Sequence, residues 1–476
     1  MNWHSIIRSF KSRDMQKRLV LLLLLIVVYR FLSHIPIPLA SHTQLKTLLN
    51  SVINGNNGSG QLLGFINLLS GGALTSFSIM LVGLAPFINA SIIIQLLTKA
   101  IPRLDELNKE GETGRQKLQQ WTRIITFPLA VLQSIGFLFI LRQSTLQSNL
   151  GIDITAHTTT LQWVLMIGAM TTGAMILMWL GELITEQGLG NGISLVIFAG
   201  IVSQLPNTAS ILASALFPKG SHLSVFGWFT MPVSAKGLGL AAGLTLLTLI
   251  SIYCVVKLNE AQRIIRVSYA KRIQGNQTYS GVEGILPVKL ITAGVIPVIF
   301  AVSFLALPSF VGQLLTTAKS HYLDHIGTTL VSWFQTPSDQ SLATGGHQAY
   351  LYPLMYFLLV VIFTYFYTNI AFSSKDAAEN LQKQNGFIAN IRPGKQTEKY
   401  LSKTVNRLML FGSLSLGLIA VLPFITEFIL VRYFQIAANR QIALGGTGLL
   451  IVVAVTLETI RLIHSRALMV AYDEGY

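Results

Sequence analysis

Four ionisable residues fall at the margins of long apolar runs: Glu182, Glu427, Glu458 and Arg461. Charged groups inside a bilayer are costly and mark ion or proton relays where they occur. These four are expected at the membrane interface. No apolar run carries the repeated acid or Arg/Lys pattern of a relay or voltage sensor. His34, His42, His157, His222, His321, His325 and His347 fall in or beside loops, as surface histidines do. The sequence contains no HExxH, GxxxxGK[ST] or GxSxG pattern. The glycine-rich run Gly188–Gly192 precedes an apolar segment rather than following a strand, which argues against a nucleotide site. A single cysteine, Cys254, leaves neither an internal disulfide nor a thiolate metal site. The expectation is a protein that is not an enzyme and uses no cofactor.

A different set of residues could do physical work. Four apolar segments put Gly, Pro or Asn beside compact aliphatic runs: 83–89, 190–197, 294–299 and 445–451. Leu84 with Ile88, and Ile193 with Ile197, are spaced to share a helix face. Such segments could build an apolar constriction, which gates by excluding water. They could equally be ordinary tight helix packing. Gly71 and Gly72 precede a run whose body holds Pro86, an arrangement suited to a moving wall.

These segments need elements to position them. Charged residues make up 11% of the chain and mean hydropathy is +0.58, whereas soluble domains carry roughly 25% charge. A bilayer core of ~30 Å needs about 20 apolar helical residues. The hydropathy predicts an all-α polytopic membrane protein with ten spans near 19–35, 76–98, 122–141, 160–181, 191–205, 237–257, 285–311, 350–372, 405–429 and 444–462. The first is expected to be retained rather than cleaved, because its apolar run Leu19–Val28 is followed by Tyr29-Arg30 and then Ile35-Pro36-Ile37-Pro38 instead of a small-residue cleavage site. Of 34 Lys and Arg residues, 26 fall in the N-terminal segment, loops 99–123, 257–289 and 373–407, and the C-terminal end. That bias predicts both termini in the cytoplasm. Loops 257–289 and 373–407 are longer than topology requires. Their charge suits anionic lipid or a docking partner, and Gly386, Pro393 and Gly394 suggest a shaped tip.

Eight words then occur in order: SGGAL at 70–74, INASIIIQLLT at 88–98, KEGETGR at 109–115, MWLGELITEQGLGNGIS at 178–194, SYAKR at 268–272, AGVIPVIFA at 293–301, IRPGKQTEKYL at 391–401 and GGTGLLIVV at 445–453. Over nearly its whole length the chain resembles the SecY family, channel subunits of the bacterial protein-export translocon. The resemblance implies ten helices in two inverted, pseudo-symmetric halves, residues 1–205 and 206–476, around an hourglass pore. It implies a pore ring at Leu84, Ile88, Ile193, Ile197, Ile299 and Ile451, with Leu84 a mild departure from isoleucine. It places a plug helix near 65–76, including Phe65, Asn67, Ser70, Gly71, Gly72, Ala73 and Leu74. A lateral gate between spans 2–3 and 7–8 would involve Asn89, Gln95, Gln133, Ile291 and Thr292. Many family members have asparagine where this chain has Ile291, so this gate is expected to close by apolar contact. Arg263, Arg266, Lys271, Arg272, Arg392 and Lys395 would meet a SecA motor or the ribosome, whose RNA is a polyanion. Small SecE-like and SecG-like subunits, signal peptides, unfolded preproteins and membrane lipids complete the implied partners. Rival readings are an accessory SecY for dedicated substrates, a secondary transporter of a small solute, and an intramembrane enzyme.

Overall fold

The computed structural model describes residues 13–37, 70, 72–74, 76–147, 159–216, 223–225, 229–231, 235–269, 272–274, 277–279, 283–291, 294–316, 321–337, 342, 346–434 and 440–473. Phe65, Asn67, Gly71, Lys271 and Thr292 lie outside them. The chain divides into two compact units: Met1–Thr248 with Val302–Pro353 and Pro423–Tyr476, and Leu249–Ala301 with Leu354–Leu422.

The helices in chain order are α1 (Arg13–Leu32), α2 (Ala85–Ala100), α3 (Pro102–Lys109), α4 (Glu112–Gln147), α5 (Thr160–Glu186), α6 (Gly192–Leu216), α7 (Ala235–Glu260), α8 (Ile296–Leu315), α9 (His321–Phe334), α10 (His347–Ala371), α11 (Ser374–Lys383), α12 (Lys395–Phe434) and α13 (Arg440–Asp473). Among the described residues six are long and apolar enough to cross a membrane: Glu112–Ile140, Thr160–Glu186, Ile296–Leu315, Ala349–Lys383, Lys395–Thr426 and Gly448–Arg466. A seventh is added if α2 and α3, bent by 102° at their junction, form one span. That bend has a local cause. Ile101 precedes Pro102, and the proline ring drives its neighbour out of the helical region, to φ −108° and ψ 115°. Lys99 of α2 bridges the bend to Asp105 of α3 at 3.4 Å, and Lys109, within α3, holds the same carboxylate at 2.6 Å. The hydrogen bond from Lys109 holds this exposed carboxyl below its ordinary range. The bridge is therefore present at neutral pH and is lost as acid titrates Asp105.

Two expected spans place a proline differently from the structure. The second helix starts at Ala85, not near 76, and Pro86 lies in its first turn. Proline is favoured there because the missing N–H would have no helical partner, so Pro86 begins the helix rather than kinking it. Pro287 does not interrupt a span either, because it sits in a strand and the seventh-span helix begins at Ile296. Pro308 is held within that helix.

The all-α expectation also missed the strands. A short hairpin pairs β1 (Leu223–Val225) with β2 (Phe229–Met231). In the second unit, β3 (Gln262–Tyr269) pairs antiparallel with β6 (Glu283–Lys289) and with β7 (Gly386–Ile388), while β4 (Arg272–Gln274) pairs with β5 (Gln277–Tyr279). Ile265, Val267 and Val288 from this sheet pack with Ala378 and Leu381 of α11 and with Leu401, Val405 and Met409 of α12. The two basic loops thus fold together around one apolar core.

Candidate channel-forming site

The segment before α2 is a chain of turns. Of the plug residues, Ser70, Gly72, Ala73 and Leu74 are described, and they form turns where a helix was expected. Gly72 (φ +89°) takes a left-handed conformation that breaks helical continuation. Ser78 N–H donates to Ala73 O at 2.9 Å, and Phe77 N–H to Leu74 O at 3.1 Å. The end of α1 holds this segment in place. Ile37 N–H donates to Phe77 O, Ile79 N–H to Ile35 O, and Ser78 Oγ to Leu32 O. Tyr29, fully buried, donates its hydroxyl to Ser70 O at 3.1 Å. Nothing in the sequence marked Tyr29 as a buried donor, since its partner lies 41 residues away. Leu74, Phe77, Leu81 and Val82 pack with Phe137 and Met170. Gly173 of α5 lies so close to Ile79 O that any side chain there would strike backbone.

Of the six ring candidates, Leu84, Ile88, Ile197, Ile299 and Ile451 are buried and Ile193 is half-buried. Leu84 caps α2, and Ile88 N–H donates to its carbonyl at 3.0 Å, so the pair shares a face. Ile193 and Ile197 open α6, which packs between α5 and α13. Gly181 of α5 leaves room for Ile193, and Gly448 of α13 for Ile201. Residues 187–191 are fixed from three sides. Arg18 donates to Gln187 O at 3.1 Å, the Arg466 guanidinium lies over Gly188, and Asn191 Oδ1 accepts from Ile193 N–H at 3.0 Å. Gly188 has φ +66° and Gly190 φ +151°, so the run GLGNG serves backbone geometry.

Glu182 corrects the interfacial expectation. Its side chain is only 7% exposed and receives Arg123 of α4 at 2.8 Å through both carboxylate oxygens. Gln119 adds a third donor at 3.0 Å. Burial is tolerated because the carboxylate has a forked cation and a neutral donor. Arg123 itself is 45% exposed.

Residues 78–460 match the sequence profile of SecY. The chain belongs to the SecY family. The protein translocase subunit SecY of Streptomyces galbus is 39% identical over 462 residues, covering 96% of both chains. That of Corynebacterium glutamicum is 36% identical over 471 residues, covering 98% of this chain and 99% of its own. The solved structure of a SecY protein, studied for a plug domain that stabilises the closed channel, superposes with a TM-score of 0.59 at 20% identity over 93% of this chain and 90% of that chain. Canine Sec61 from a ribosome–channel complex superposes at 0.52 and 18% identity over the same shares. At such identities these two structures establish the fold alone. The chain is thus a multi-pass membrane protein with the fold of SecY and Sec61 channels.

Against the SecY family pattern, the gate candidates divide. Asn89 is buried, and its Oδ1 accepts no hydrogen bond among the described residues. Gln95 donates to Ser91 Oγ at 3.0 Å, and Gln133 is half-buried. Ile291 is buried just before α8. Helices α4 and α8, which cover the third and seventh expected spans, meet where the Phe310 ring covers Gly136. Among the basic candidates, Arg263, Arg266, Arg392 and Lys395 are exposed. Arg272 lies on β4. Arg392 sits on a tight strap: Thr397 Oγ1 donates to its carbonyl at 3.0 Å, and Gly394 turns with φ +92°.

Proposed function

We propose that this chain is the protein-conducting subunit of a translocon in the bacterial cytoplasmic membrane. The observation that carries the reading is identity to protein translocase subunits along essentially the whole chain. In this reading ten helices cross the bilayer in two inverted halves, 1–205 and 206–476, with both termini cytoplasmic. Leu84, Ile88, Ile193, Ile197, Ile299 and Ile451 form the waist of an hourglass pore. Aliphatic side chains suit that waist, because they exclude water when closed and offer a passing chain no hydrogen bond to hold it. Residues 65–76 plug the pore, and α2 and α4 open against α8 and α10 to release apolar segments sideways into lipid. The energy comes from partners: a SecA motor or a translating ribosome at Arg263, Arg266, Lys271, Arg272, Arg392 and Lys395, with SecE-like and SecG-like subunits alongside. The shared apolar core of these basic loops supports docking, because it gives the exposed Arg263, Arg266, Arg392 and Lys395 a folded base.

Reconstitution of the full chain with those partners in sealed vesicles tests this. An unfolded secretory precursor is expected to become protease-protected in an ATP-dependent manner. Ile291→Asn is expected to admit a weakly apolar signal sequence that the wild type rejects. Ion-coupled flux of a small solute without partners would instead support a transporter. An unchanged signal requirement would contradict the role given to Ile291.

A further inference from the structure

We propose that the C-terminal half of α8 holds one buried water molecule, bonded between Ser309 and Gln335. Ser309 of α8 is 1% exposed, and Gln335, just past the end of α9, is 8% exposed. Among the described residues, Ser309 Oγ and Gln335 Nε2 have no hydrogen-bond partner, so they do not bond each other. Both residues line one small cavity of about 20 Å³. Buried polar groups without a partner are rare, because an unmade bond keeps the full cost of losing solvent. Immobilising one water that serves two such groups costs less.

The size and lining of the cavity identify the occupant. One water needs roughly 10–15 Å³, so the space takes a single molecule and is too small for a lipid chain or an organic ligand. An ion is disfavoured, because no charged side chain lines the cavity. A water molecule complements the two orphans. The amide nitrogen donates to it, and the serine hydroxyl can donate or accept. Thr336 and Tyr352 bring further hydroxyl-bearing side chains to the lining.

The walls cannot close to join the two groups directly. A side-chain carbon on Gly327 of α9 would lie 2.7 Å from Gly312 O of α8, so the two helices already touch backbone to backbone. Tyr352 of α10 packs its ring on Phe424 of α12, with centroids 5.4 Å apart. All these residues lie in the same compact unit. The water therefore joins α8 to the segment leaving α9, and the site does not depend on the channel reading.

The test is a structure of the full-length protein in lipid nanodiscs, at a resolution that shows ordered water. Density for one water is expected within about 3 Å of both Ser309 Oγ and Gln335 Nε2. Absence of that density, or a bond from either atom to another protein group in its place, would overturn the proposal. Thermal unfolding gives a second reading. Ser309→Ala and Gln335→Met are each expected to lower the melting temperature by about 2 °C. The double variant should also lose about 2 °C, because either change alone already releases the water. Additive losses of about 4 °C would contradict a shared water.

Discussion

Arg123→Ala is expected to destabilise the protein by about 3 kcal/mol, more than Glu182→Gln does. Removing one partner of a buried pair leaves the other charge without compensation, which typically costs ~3–5 kcal/mol. Here the partners are unequal. Glu182 is 7% exposed and cannot reach water, while Arg123 is 45% exposed and can. Loss of the arginine therefore strands a buried carboxylate with Gln119 as its one remaining donor among the described residues. Loss of the carboxylate charge leaves an arginine that turns to solvent, at about 1 kcal/mol. The double variant should recover part of the arginine loss, because a neutral glutamine can pair with Gln119. Thermal unfolding in detergent measures all three. Equal effects for the two single variants would show that the pair is not held in the asymmetric setting described.

The second large effect concerns the proposed ring. Ile193→Ser removes three apolar carbons from a half-buried position. At about 0.8 kcal/mol each, this weakens the dry, closed state by about 2 kcal/mol. The resting ion permeability of reconstituted vesicles should rise roughly thirtyfold. Ile264→Ser, an exposed change on β3, should leave it unaltered. A seal indifferent to Ile193 would remove that residue from the constriction.

Which parts of this molecule the sequence disclosed depends on the range of the forces involved. Apolar run lengths are local, so the fourth span, expected at 160–181, is found as Thr160–Glu186, started by a capping box between Thr159 and Gln162. Pro86 was misplaced because run length does not show where a helix begins; its backbone position decides whether proline bends a helix or starts one. Pro287 reads as a break within an apolar run. It is accommodated because β6 lies at the edge of its sheet, where one N–H faces no partner strand. The burial of Glu182 could not be foreseen, since Arg123 lies 59 residues earlier. Tyr29 escaped for the same reason. The ring candidates became legible through ordered words shared with a family, not through spacing, which is equally consistent with tight packing.

Site-specific crosslinking from position 193 or 299 to a stalled secretory precursor tests the central claim most directly. Adducts to the precursor at both positions, and none from exposed Leu246, are the predicted result. Adducts confined to other positions, with 193 and 299 silent, would contradict a polypeptide path through this ring.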